Sequence, residues 1–146
     1  MSLFDDILEE TGDEEFGPQE GFAGVVICAS ACDGHIGDEE GQVVNGILNQ
    51  KKLYSRLSPQ QMSSLVDRII GLLKRKGPEQ LLDRAYPAVP PELRECVFAN
   101  AVDIVLADGT VEQDEREFID DLQNKLEIDT KRAKKIVQVM VYKNHG

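Results

Sequence analysis

The sequence predicts an all-α bundle of about seven helices, built in part from a pseudo-repeat of helix, Asp-Gly turn, helix units. Three observations carry this. No segment sustains period-two alternation between hairpin signals. Helix starts and stops recur along the chain, with Pro at first helical positions and Gly or basic residues at the ends. Finally, one pattern occurs twice: an apolar helix, Asp-Gly, one residue, Ile or Val, three residues, Glu, then a second helix. It runs as AGVVICASACDGHIGDEEGQVVNGIL from Ala23 and as FANAVDIVLADGTVEQDEREFIDDLQNKL from Phe98, which pairs Asp33-Gly34 with Asp108-Gly109, Ile36 with Val111 and Glu40 with Glu115.

In chain order, residues 1–17 form an acidic, partly flexible arm in which Leu3, Phe4, Ile7 and Leu8 could dock as one or two helical turns; residues 18–146 form a single helical domain. Pro18 opens a helix that runs to Cys32. The helix over 38–48 contains Gly41 and Gly46, each worth up to about 1 kcal/mol relative to Ala, so it is expected to be the weaker copy. Ser58-Pro59 is an N-cap followed by Pro at the first helical position, and Leu65, Ile69, Leu72 and Leu73 keep the period up to the stop Lys74-Arg75-Lys76-Gly77. Pro78 starts a short helix with Leu81, Leu82 and Ala85. The helix over 90–107 is apolar on nearly every side from Cys96 onward and is expected at the centre of the domain. Helices over 112–126 and from 129 onward complete the bundle, the last with Ala133, Ile136, Val137, Met140 and Val141 inward and with Lys131, Arg132, Lys134 and Lys135 on a solvated face.

The two glutamates draw attention through their phase. Val43, Val44, Ile47 and Leu48 follow one turn, and Phe118, Ile119, Leu122 and Leu126 follow the other; stepping back three or four residues lands on Glu40 or Glu115. Both carboxylates are therefore expected on the core-facing stripe, whereas Asp38, Glu112, Gln113 and Glu117 mostly fall outside it and read as solvated polar or charged residues. A carboxylate on the buried side of a first helical turn needs a donor or a cation to offset its lost hydration. Asp103, mid-helix among Ala101, Val102, Ile104 and Val105, has the same need. The candidate metal ligands are thus Asp103, Asp108 and Glu115 at the second turn, and Asp33 and Glu40 at the first, where Cys28 stands opposite Asp103. A plainer reading competes at each: Asp before Gly as a turn former, Glu as the third residue of a capping box, and Asp103 held by an amide, a Tyr or a Lys from another helix.

The spacing matches the second half of an EF-hand loop, a carboxylate, Gly, an apolar residue and a final Glu. The first half fails, because Ile104 and Leu106, like Ala29 and Ala31, offer no side-chain oxygen. An all-oxygen set favours calcium, then magnesium or manganese, and no organic cofactor is indicated. Cys28, Cys32 and His35 resemble part of a zinc set whose fourth ligand would be Cys96, His145 or a carboxylate, or else thiols open to an oxyanion. With no G-x-S-x-G, no phosphate loop, no H-E-x-x-H and only two histidines, nothing argues for an enzyme.

A net charge of -11 argues against a nucleic-acid binder and against direct attraction to anionic lipid, and suits cations or basic partners. No stretch approaches the roughly 20 apolar residues of a membrane span, and the acidic MSLFDDILEE is unlike a signal peptide. A cytoplasmic protein with reduced thiols is expected.

The stretches CDGHIGDEE and LADGTVEQDE, within an all-helical chain, resemble the TerB-like family associated with tellurite resistance, over roughly residues 21 to 142. The resemblance implies a cytosolic, non-enzymatic helical protein of tellurite and other stress responses, with acidic sites proposed to bind divalent metal. It also implies protein partners, membrane proteins of the TerC type among them. Residue by residue it points to Asp33 and Glu40, and to Asp108 and Glu115. Cys28 opposite Asp103 and the Gly-rich second helix depart from it, and Asp103 is added from its apolar surroundings and not from the resemblance.

Overall fold

The computed structural model describes Leu3 and residues 16–32, 36–107 and 109–145, and from residue 16 onward these form seven α-helices joined by turns and three short 3-10 segments. No strand occurs among the described residues. The acidic arm, apart from Leu3 and the two residues that lead into the first helix, lies outside them, as do Asp33, Gly34, His35 and Asp108.

Helix α1 (Pro18–Ser30) is the hub. Pro18 takes the first helical position, and Glu20 Oε1 accepts the Gly17 N–H at 2.9 Å. Beyond Glu20 the helix has no charged residue, and Gly21 through Ala29 are all buried. It packs against α2 (Asp38–Asn49), α3 (Pro59–Lys76), α4 (Pro78–Ala85) and α5 (Arg94–Leu106). Gly21 and Gly24 permit this: a Cβ at Gly21 would lie 2.8 Å from the Ala85 carbonyl oxygen, and one at Gly24 2.7 Å from the Ala85 Cβ.

The central position expected for the later helix therefore belongs to α1. Helix α5 buries Val97, Phe98, Ala101, Val102 and Val105, but Glu95, Asn100 and Asp103 keep its other side polar. That side receives the last helix.

Local signals place the remaining elements. Ser58 Oγ accepts the Gln61 N–H at 3.1 Å while Gln61 Oε1 accepts the Ser58 N–H at 2.9 Å, so α3 starts on a complete capping box. It ends at Gly77, whose φ of +86° suits a residue without Cβ. Pro78 then starts α4 at once. Gly109, with φ +82°, serves the same purpose between α5 and α6 (Gln113–Lys125). Asp129 caps α7 (Thr130–Lys143) by accepting the N–H groups of Lys131 and Arg132.

Two expected inward residues face out instead. Val43 on α2 is 55 % exposed and Val141 on α7 42 % exposed, because each helix lies on the bundle with one narrow stripe and these positions fall at its border. On α2 only Val44 and Leu48 are fully covered.

Candidate functional site

Glu40 and Glu115 stand at the same point of their helices. Glu40 Oε2 accepts the Gly37 N–H at 3.0 Å at the start of α2, and Glu115 Oε1 accepts the Glu112 N–H at 2.9 Å at the start of α6. Each is the third residue of a capping box. Neither is in the core: Glu40 is exposed and Glu115 half-buried, and no charged residue is buried among the described residues. This corrects the expected depth. Being in phase with Val44 and with Phe118 and Ile119 does not carry burial into the first turn, where residues 38–40 are all exposed and residues 113 and 114 as well. Their turn partners Asp33 and Asp108 lie outside the described residues.

Asp103 has partners of its own. Lys143 Nζ donates to Oδ1 at 3.2 Å and Oδ2 at 3.0 Å, and Asn144 Nδ2 donates to Oδ1 at 2.7 Å. The carboxylate is 25 % exposed rather than sealed in the core, and it pins the end of α7 to α5.

An acid-lined cleft that single-helix periodicity did not reveal opens beside α6. Asp114, Glu117 and Asp121 recur three and four residues apart along one face of α6 and look across at Glu79 in the first turn of α4. Leu82 and Phe118 supply apolar wall, Cys32 closes one side, and the space is about 380 Å³. Lys125 is the cation of this cleft, 2.8 Å from Asp121 Oδ2 and 3.2 Å from Asp83 Oδ1, with its ammonium 5.7 Å from the centre of the Tyr86 ring. Partial burial pulls the Lys125 pKa down, but the hydrogen bonds to Asp121 and Asp83 outweigh it and hold the group above its ordinary value. The i, i+3, i+7 run of acids on α6 was the available signal; it becomes a site only when the start of α4 is brought opposite. No three His, Cys, Asp or Glu side chains among the described residues stand close enough to share one metal ion.

The thiols do not converge. Cys28 is fully buried and its Sγ lies 3.5 Å from the Pro78 carbonyl oxygen as donor; Cys32 Sγ donates to the Cys28 and Ala29 carbonyls, each at 3.5 Å. Burial, reinforced by nearby Cys32, pushes the Cys28 thiol far above its ordinary range. A thiol so held is neither a ready nucleophile nor a ready zinc ligand, which counts against the Cys28, Cys32 and His35 reading; His35 itself lies outside the described residues.

Tyr54 is the other buried ionisable group. Its hydroxyl donates to the Gln19 carbonyl at 2.7 Å, and burial raises its pKa. Well below pH 9 both groups are neutral in the folded and unfolded states, so their full contribution is present. Above their ordinary values, 9.0 for Cys28 and 10.0 for Tyr54, the unfolded chain releases protons that the folded chain retains. Stability should therefore fall as pH rises, by up to about 1.4 kcal/mol per pH unit for each group. In thermal melts from pH 8 to 11, Cys28→Ala should flatten the decline from about pH 9 upward and Tyr54→Phe the part above about pH 10. Parallel slopes in all three proteins would refute the assignment.

No curated protein and no solved structure matches the chain. The family model described as tellurite resistance protein TerB matches residues 19–138, from the first turn of α1 into α7 and across both Asp-Gly turns, and the chain belongs to that TerB family.

Proposed function

We propose that this TerB-family domain is a non-enzymatic stress-response binding module, and that its Asp-Gly turns hold divalent cations which tighten the bundle for a protein partner. Calcium is the first choice, then magnesium or manganese, since the set is all oxygen. Asp108 and Glu115 form the stronger site, Asp33 and Glu40 the weaker one. Asp103 is left out of the set, because Lys143 and Asn144 already engage both of its oxygens. Partners, membrane proteins of the TerC type among them, would read the tightened packing. No helix of the described residues is long and apolar enough to cross a membrane.

The observation that supports this reading is the shared cap of Glu40 and Glu115. In each, one oxygen is fixed on a backbone N–H and the other takes no further bond among the described residues. A carboxylate already held in place loses less conformational freedom on binding a cation. The acids of the neighbouring cleft, Glu79, Asp114, Glu117 and Asp121, add a local negative potential that concentrates cations.

Melting in calcium, magnesium, manganese or zinc against chelator tests this. At 100 times the dissociation constant, a bound cation should add about 2.7 kcal/mol. Glu115→Gln keeps an oxygen for the Glu112 N–H but loses the charge. It should melt within about 0.5 kcal/mol of the parent without metal and lose most of the metal-induced rise. No rise with any of the four at millimolar concentration rejects the proposal. A metal-free helical adaptor is the second reading, favoured because Glu40, Glu115 and Asp103 each have a protein partner already. It predicts identical melting in metal and in chelator.

A further inference from the structure

Helix α6 is anchored at one end. From residue 107 to residue 121 no described residue is buried; Phe118 and Ile119 are half-buried, and the first fully covered side chains are Leu122 and, just past the helix, Leu126. Open space borders the helix on both sides. The acid-lined cleft of about 380 Å³ separates it from α4, and a groove of about 580 Å³ separates it from α7. A helix of 13 residues is marginal in water without packing, so its first two turns depend on anchors that lie further along.

The loosely packed segment keeps its bonds to itself. Glu115 accepts the Glu112 N–H, Gln113 Nε2 donates to Glu117 Oε1 at 3.2 Å, and Arg116 Nε donates to the Val111 carbonyl at 3.3 Å. None of these bonds crosses to another helix, so all survive when the segment moves as a unit. Gly109, with φ +82°, stands where the segment joins α5, and a residue without Cβ changes φ at little cost.

Charge acts on this segment in two directions. Asp114, Glu117 and Asp121 on α6 and Glu79 on α4 line opposite walls of the cleft, and their like charges push the walls apart. Lys125, at the anchored end, pulls them together: it bonds Asp121 of its own helix and reaches Asp83 of α4 at 3.2 Å. We infer that residues 109–121 form a hinged flap on α5 that opens locally, about Gly109 at one end and Leu122 at the other, and that the charge balance across the α4/α6 cleft sets how often it opens. The facing acids favour the open state and the Lys125 bridge the closed one. Dissolved salt closes the flap, because it screens repulsion across water more than a bridge in direct contact and partly buried. The flap carries Glu115, but its opening needs no divalent cation and is independent of the metal proposal.

Residue-resolved hydrogen exchange, with chelator present throughout, tests this on the amides of residues 116–121, which are bonded within α6. At about 10 mM salt they should exchange at least about a hundredfold faster than the amides of α1, as expected of a unit that opens without global unfolding. Raising the salt to about 300 mM should slow them about two- to fivefold relative to α1. Glu79→Gln, which removes a charge from the facing wall, should slow them, and Asp83→Asn, which removes the partner of the bridge, should speed them, each by about two- to fivefold. The two changes take the same charge from the same helix four residues apart, so a general charge effect would move both alike. The salt series uses the parent alone and stands whether or not a variant is destabilised. Amides of 116–121 as protected as those of α1, rates indifferent to salt, or the same sign in both variants each overturn the inference.

Discussion

A Gly21→Ala variant should be about 2 kcal/mol less stable than the parent, although alanine is the better helix former. The added Cβ would sit 2.8 Å from the Ala85 carbonyl oxygen, 2.8 Å from the Ala88 Cβ and 2.9 Å from the Ala88 carbonyl carbon. Two of those atoms are backbone, so no rotamer change relieves the contact, and α1 must move away from α4 and the turn after it. Overpacking of this kind costs about 1 to 3 kcal/mol, occasionally more, and the intrinsic helical gain returns up to about 1. The clash wins because α1 is the hub, so that a shift on one side loosens its packing on α2, α3 and α5 as well. Gly24→Ala should move stability the same way, with its Cβ 2.7 Å from that of Ala85. Gly46→Ala on α2 and Gly71→Ala on α3 should have the opposite sign, since nothing lies within 4 Å of a Cβ at either position; each should gain up to about 1 kcal/mol. Urea unfolding of the four variants checks the pattern. A Gly21→Ala protein as stable as the Gly46→Ala protein would show that α1 and α4 are not in close contact.

The same glycines explain why the hub was harder to read than the helices around it. Helix boundaries rest on local chemistry, and Ser58-Pro59, Gly77-Pro78 and Asp129 placed them within a residue or two. Which helix lies innermost is a property of contact on every side. The stretch over 96–107 has the denser apolar run, yet Asn100 and Asp103 commit one side of it to polar partners. GFAGVVICA looks like the poorer helix because of its two glycines, and those glycines let its neighbours close in.

The candidate site was legible in one dimension and not in depth. Periodicity put Glu40 and Glu115 in phase with the apolar residues that follow them but could not show that neither would be buried. For Asp103 the requirement for a partner was readable from its apolar neighbours. The partner was not, because Lys143 and Asn144 are 40 and 41 residues away and reach it only after α7 folds back along α5. The acidic cleft was hidden for the same reason: Glu79 belongs to α4 and Asp114, Glu117 and Asp121 to α6, and no single helix contains the site.

Phe22→Ala should be the most damaging single truncation, at about 4 to 5 kcal/mol, with Phe98→Ala nearer 3. Both rings are 1 % exposed, so the lost transfer energy is the same and the difference lies in what is left behind. Phe22 sits on the hub, edge-on to Tyr54 with ring centres 6.3 Å apart and planes at 71°. Its removal opens a void inside the bundle, forfeits the aromatic pair, worth about 0.5 to 1.5 kcal/mol, and loosens the Tyr54 bond to Gln19. Phe98, by contrast, borders a groove of about 580 Å³ between α6 and α7, lined by Ile119, Ala133 and Val137. There neighbouring side chains and water can move into the vacated space, so a smaller share of the cavity penalty persists. Since a domain of this kind is stable by about 5 to 15 kcal/mol in total, the Phe22 variant should sit near the edge of folding while the Phe98 variant still melts cooperatively. Equal losses in the two, measured by denaturant unfolding at matched pH, would mean that the Phe98 side is as enclosed in solution as the hub.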